Sequence, residues 1–125
     1  MFKLFKKDKK HPPFETLQGF AHKDNYFVRT AQWRRLNKQM ITVTDPRGSR
    51  MLTMDQWPQI VFLESDGQRT VTEFVHYLAD AYTGRVPANL DRTVVGELEK
   101  LVGYGIIAFR DQKGRPESEF DQPLG

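Results

Sequence analysis

Three histidines, a scatter of carboxylates and two tryptophans, one of them beside a pair of arginines, are the residues of this chain whose types could do chemistry. The histidines are His11, His22 and His76, and no two are spaced four apart as a helical metal site requires. His76 falls on the polar side of a helical segment and reads as a solvated surface histidine. There is no cysteine, which excludes disulfides, thiolate chemistry and cysteine-based zinc or iron–sulfur sites. No nucleophile elbow, phosphate-binding loop or dinucleotide glycine pattern occurs. Gly103-Tyr104-Gly105 closes a helix rather than opening one, so it reads as a cap and not as a phosphate cradle. Glu97 and Glu99 are two residues apart on a helix and point in different directions. General acid–base work needs convergent, environment-tuned groups, and the sequence indicates none. No catalytic residue, metal ligand or cofactor is therefore expected. Trp33-Arg34-Arg35 could stack on or pair with an anion, but a strand or turn edge with solvated arginines is the commoner arrangement. Trp57 reads as core.

With side-chain catalysis set aside, the elements that the sequence encodes carry the argument. The length of 125 residues suits one domain with tails. Aromatic residues at 12% are too many for a disordered chain. Residues 1–25 read as a basic extension interrupted at His11-Pro12-Pro13. Five lysines and one aspartate fall in the first ten residues, leaving 14 basic against 15 acidic side chains in the other 115. The basicity belongs to the extension, where Phe2, Leu4 and Phe5 among lysines would allow weak contact with an acidic membrane surface. The body, residues 26–110, is close to neutral, which argues against nucleic acid as a partner. Residues 111–125 are polar, contain two prolines and are expected to fray. No apolar run approaches the roughly 20 residues of a membrane span, and no uninterrupted apolar stretch near the start marks a secretory signal. A cytoplasmic location is expected.

Within the body, Tyr26 to Arg29 is β-prone and Ala31 to Lys38 is ambiguous between a helical turn and extended chain. Met40 to Thr44 and Ser49 to Met54 alternate around Asp45-Pro46-Arg47-Gly48, whose residue types make a turn, so they form a hairpin. A first helix starts near Asp55 and presents Trp57, Ile60, Val61 and Phe62. A second opens on the capping box Thr70-Val-Thr-Glu73 and buries Val71, Phe74, Val75, Leu78, Ala79 and Tyr82, with Gly84 as its stop. A third starts around Asp91 with Val94, Leu98 and Leu101 as its inner stripe. Gly103 weakens its last turn by up to about 1 kcal/mol, and Gly105 supplies a left-handed cap. Ile106 to Phe109 reads as a short strand. The expected fold is α+β: a winged helix-turn-helix-like domain, with an N-terminal three-stranded antiparallel sheet followed by three helices.

The stretch from about Met40 to Phe109 resembles the PqqD-like proteins, also known as RiPP recognition elements. The resemblance rests on the hairpin, on Ser65-Asp-Gly-Gln-Arg-Thr-Val71, on Val71-Thr-Glu-Phe-Val-His-Tyr-Leu-Ala79 and on Leu98-Glu-Lys-Leu-Val-Gly-Tyr-Gly-Ile-Ile107. Glu64-Ser65 departs from the more apolar residues usual before Asp-Gly. The extension and the tail have no counterpart in the compact family form. The resemblance implies a non-catalytic module that holds a precursor or leader peptide, added as an extra strand, for a modifying enzyme of the radical-SAM type, in the context of PQQ biosynthesis or related pathways. Physical reasoning reaches a similar place, because an open strand edge offers backbone groups that an extended peptide can satisfy. The expected edge is Arg50, Met51, Leu52 and Thr53, and the expected wall on the third helix is Arg92, Val95, Glu99 and Val102. The alternative is a winged-helix DNA-binding or transcription-associated protein whose third helix enters the major groove. Either way a monomer or weak dimer is expected.

Overall fold

Three consecutive buried side chains, Phe27, Val28 and Arg29, mark Tyr26–Arg29 as the central strand of a sheet, and the rest of the topology follows from what pairs with it. The computed structural model describes residues 10–54 and 56–125. The expectations for Phe2, Leu4 and Phe5 and for Asp55 as a helix cap fall outside the described residues. In chain order the elements are α1 (Glu15–Gln18), β1 (Tyr26–Arg29), β2 (Trp33–Arg35), β3 (Ile41–Thr44), β4 (Met51–Met54), α2 (Gln56–Leu63), β5 (Asp66–Thr70), α3 (Val71–Ala81), α4 (Leu90–Gly103), β6 (Ile107–Arg110) and α5 (Ser118–Asp121). Among the described residues no helix is long and apolar enough to cross a membrane.

The fold is α+β with two antiparallel three-stranded sheets, ordered β5-β1-β6 and β2-β3-β4. This corrects the expected single N-terminal sheet. Tyr26–Arg29 does not join the hairpin; it pairs with β6 in the register Tyr26↔Arg110 to Arg29↔Ile107 and with β5 on its other side. The hairpin's third strand is Trp33–Arg35, in the register Trp33↔Val43 to Arg35↔Ile41. Pairing with β3 resolves the local ambiguity of that stretch. β5 went unanticipated because Asp-Gly-Gln-Arg-Thr has weak strand propensity and becomes extended only through its contact with β1.

Helix ends follow local chemistry where side chains reach. The Thr70 hydroxyl accepts from the Glu73 amide at 3.1 Å, and the Thr70 amide donates to the Glu73 carboxylate at 2.8 Å, completing the capping box. Gly105 has φ of 79°, with Ile106 N–H donating to the Leu101 carbonyl and Gly105 N–H to the Val102 carbonyl. Those two bonds define a Schellman motif at the end of α4. The stop of α3 differs from expectation: the helix ends at Ala81, and Tyr82, not Gly84, turns into extended backbone. Val71, Phe74, Val75 and Ala79 from α3 meet Leu90, Val94, Leu98 and Leu101 from α4 in one core with Phe27, Phe62 and Ile106.

The described residues that flank the body on either side dock more closely than expected. Phe14 and Leu17 are buried in the core, and the Leu17 amide donates to the buried Asp91 carboxylate at 2.9 Å. The segment expected to fray forms α5 and closes over Arg29, which is only 4% exposed. The Arg29 guanidinium donates to the carbonyls of Leu63 (2.7 Å), Phe120 (3.0 Å) and Asp121 (3.1 Å) and to the Asp121 carboxylate (3.1 Å). Burial holds this guanidinium below the ordinary arginine value, and Asp121 offsets part of that effect. Arg115 also binds Asp121 and, with desolvation opposing, the two arginines hold that carboxyl below its usual range.

Arg29→Met leaves those carbonyls without a donor, and it is expected to cost about 3–5 kcal/mol, the usual loss on breaking a buried pair. Asp121→Asn is expected to cost less, because Arg29 keeps its main-chain acceptors. Urea unfolding midpoints of the two variants check the order.

Candidate functional site

The hydrogen-bond alternation of the second sheet decides which backbone groups of β4 face outward. Thr44 N–H donates to the Gln32 carbonyl and Leu36 N–H to the Met40 carbonyl, so residues 40, 42 and 44 turn their backbone groups toward β2. Ile41, Val43 and Asp45 turn theirs toward β4, as the Asp45 N–H bond to the Arg50 carbonyl confirms. With Val43 opposite Leu52 and Ile41 opposite Met54, Leu52 and Met54 bond back to β3. The N–H and C=O groups of Met51 and Thr53 therefore point away from the sheet. β4 is the end strand, and among the described residues no strand pairs with its outer edge.

Beside that edge runs a groove of about 260 Å³, floored by Met51 to Met54 and walled by Lys100, Leu101 and Tyr104 of α4 and its end, with Pro58 of α2. Met51 and Tyr104 are exposed, while Leu101 is fully buried at the groove's base. Lys100 pairs with Glu97 one turn earlier at 3.2 Å, with its side chain still about half exposed.

The hairpin turn closes one end. Asp45 accepts from the Arg47 amide and from Arg50 Nε, both at 2.9 Å. Arg47 reaches from the turn to the Gly103 carbonyl, a free acceptor at the end of α4. A Cβ on Gly105 would stand 3.2 Å from Arg47 Nε, so the glycine serves both the left-handed backbone and this approach. The Arg50 side-chain bond, followed by the Arg47 amide, holds the Asp45 carboxyl below its usual range.

Of the eight residues expected at a peptide site, Met51, Leu52 and Thr53 line the groove, and Arg50 lies in the adjoining cleft with Asp45, Arg47 and Tyr104. The four on α4 lie elsewhere. Val95 is buried, Val102 packs half-buried against the core, and Glu99 is exposed on the helix flank away from the groove. Arg92 borders a different cleft, formed with Pro12 to Thr16. A helix with one apolar stripe has two flanks, and the one that carries Lys100 and Tyr104 meets β4 at the groove. Sequence periodicity locates the stripe but does not say which flank faces the hairpin. His76 also departs from expectation: it is half-buried against His11 and Phe14 rather than solvated.

Comparison of the chain with protein-family models, with curated proteins and with solved structures finds no match.

Asp45 is stabilising when ionised, because its folded value is depressed. Its contribution is full above the ordinary aspartate value of about 3.9 and is lost as pH falls through the lower folded value. The stability gap between wild type and Asp45→Asn, from chemical denaturation at a series of pH values, is expected to be constant near neutrality and to close in acid. A gap that does not change with pH would show that the carboxylate charge is not what holds the turn.

Proposed function

We propose that this protein is a non-catalytic peptide-binding module of the PqqD-like kind, which holds a precursor or leader peptide for a modifying enzyme. One observation carries the reading: β4 directs the backbone groups of Met51 and Thr53 into a groove walled by α4. An extended peptide laid along β4 would become a fourth strand of the second sheet, with alternate side chains directed toward Leu52, Leu101, Pro58 and Tyr104.

Magnitudes favour a joint role for edge and groove. Two N–H and two C=O groups offer about four hydrogen bonds, each worth about 1 kcal/mol net. Association and ordering of the peptide cost more than that sum. Burial of apolar peptide side chains against Leu52, Pro58 and Tyr104 must then supply the remainder, at about 25 cal/mol per Å².

The order β3, β4, α2, β5, α3, α4 supports a winged-helix-like reading of the body, with α3 and α4 as the helical pair and the β3–β4 hairpin as the wing. A chain without cysteine is compatible with a reducing, cytoplasmic setting. In this reading the modifying enzyme, of the radical-SAM type, supplies the chemistry and this chain supplies only the grip.

Nuclear magnetic resonance titration of the full chain with candidate leader peptides tests the reading. Shifts are expected to cluster on Met51 to Met54, Lys100 and Tyr104. Thr53→Pro removes one outward N–H without removing a bond to β3, so it is expected to weaken binding about tenfold with little loss of stability. Leu52→Pro removes a ladder bond and is expected to destabilise the fold itself. Shifts that avoid β4, or unchanged binding by a folded Thr53→Pro, would defeat the proposal.

A further inference from the structure

The N-terminal arm is joined to α3 through a chain of three side chains that no part of the peptide groove uses. His11 Nδ1 lies 2.7 Å from His76 Nδ1, and His11 Nε2 lies 2.8 Å from an Asp80 carboxylate oxygen. The two imidazoles stack with centroids 4.9 Å apart, and Phe14 packs edge-on against His76 at 5.5 Å. His76 and Asp80 are four residues apart on one face of α3. The groups form a chain rather than converging on one point, and no cluster able to hold a metal ion is found among the described residues.

A hydrogen bond between two ring nitrogens needs one N–H and one lone pair. His11 Nε2 faces a carboxylate and therefore carries a proton. If His11 is neutral, its Nδ1 accepts and His76 Nδ1 donates. If His11 is charged, both its nitrogens donate and His76 must be neutral with a free Nδ1. The cluster thus holds no positive ring or one. A second proton would set two N–H groups against each other and put two cations in stacked contact.

We propose that His11, His76 and Asp80 form a proton-operated latch, which docks the arm around residues 10–13 on α3 at neutral pH and releases it when both histidines are charged. The latch is independent of what occupies the β4 groove. Burial, then the neighbouring His11, lowers the His76 value, while Asp80 raises it. With the docked value depressed, docking is fully stabilised above the ordinary histidine value of about 6.5. It weakens as pH falls below that value and is lost by the lower docked value of His76. Other charges around the cluster do not supply a second counter-ion. Glu73, three residues before His76, is held by the Thr70 amide. Lys10 on the arm and Arg85 after α3 border the same cleft as His11 and add only positive charge. Pro12 and Pro13 stiffen the strap, and Phe14 adopts a left-handed backbone (φ 53°) where the strap meets the core.

Backbone order parameters of the Lys10 and His11 amides in the full chain read the latch. They are expected to fall from about 0.85 at pH 7.5 to below about 0.6 at pH 5, while circular dichroism stays unchanged. His76→Asn can still accept from His11 but cannot become charged, so its arm is expected to stay ordered at pH 5. Asp80→Asn keeps an acceptor without the charge, so release is expected to move to higher pH. Wild-type amides with the same order at both pH values would overturn the proposal. So would a His76→Asn arm that loses order over the wild-type range.

Discussion

The groove beside β4 depends on the hairpin tip being held against the end of α4. A helix leaves its last carbonyls without partners and carries partial negative charge there. Arg47 meets both conditions, donating to the Gly103 carbonyl from a turn that Asp45 organises through the Arg47 amide and Arg50. Gly105 lets the chain reverse immediately after the helix without crowding that guanidinium. The second sheet and α4 also share one core, through Ile41, Val43 and Met54 on one side and Leu98 and Leu101 on the other, and the clasp adds to that packing. With it, Tyr104 and Lys100 stand opposite Met51 to Met54 as one surface.

Open strand edges invite unwanted pairing, and this chain treats its edges unequally. The C-terminal segment donates from Gly114 to the Gly67 carbonyl on β5 and from Leu124 to the Trp33 carbonyl on β2. Exposed Arg34 and Arg35 add charge along β2. Arg29 ties that segment to the core through Phe120 and Asp121, so the shielding belongs to the fold. β4 receives no such cover from the described residues, although it lies in the same sheet as the shielded β2.

Much of the architecture was legible because its signals are local. The capping box of α3, the glycine that ends α4 and the Asp-Pro-Arg-Gly turn each satisfy backbone groups within a few residues. The hairpin edge at Met51 to Thr53 was legible for the same reason. Three things were not. β5 exists through β1, more than thirty residues away, with little strand propensity of its own. The docking of Leu17 on Asp91 and of Arg29 on Asp121 joins residues over seventy apart in the chain. The flank of α4 that faces β4 is set by how the helix rolls against α2 and α3, and both flanks border the apolar stripe equally well.

Residue order alone was enough to specify an α+β chain with a turn-closed hairpin, three principal helices, the capping box that opens α3 and the glycine cap that ends α4, because those features are short-range hydrogen bonding and periodic burial. Packing assigned the strands to two sheets, turned Lys100 and Tyr104 rather than Arg92 and Glu99 toward β4, and brought His11 onto His76. Each of those outcomes compares arrangements that are equivalent locally and differ only in long-range contacts, so no window of sequence contains the information that separates them.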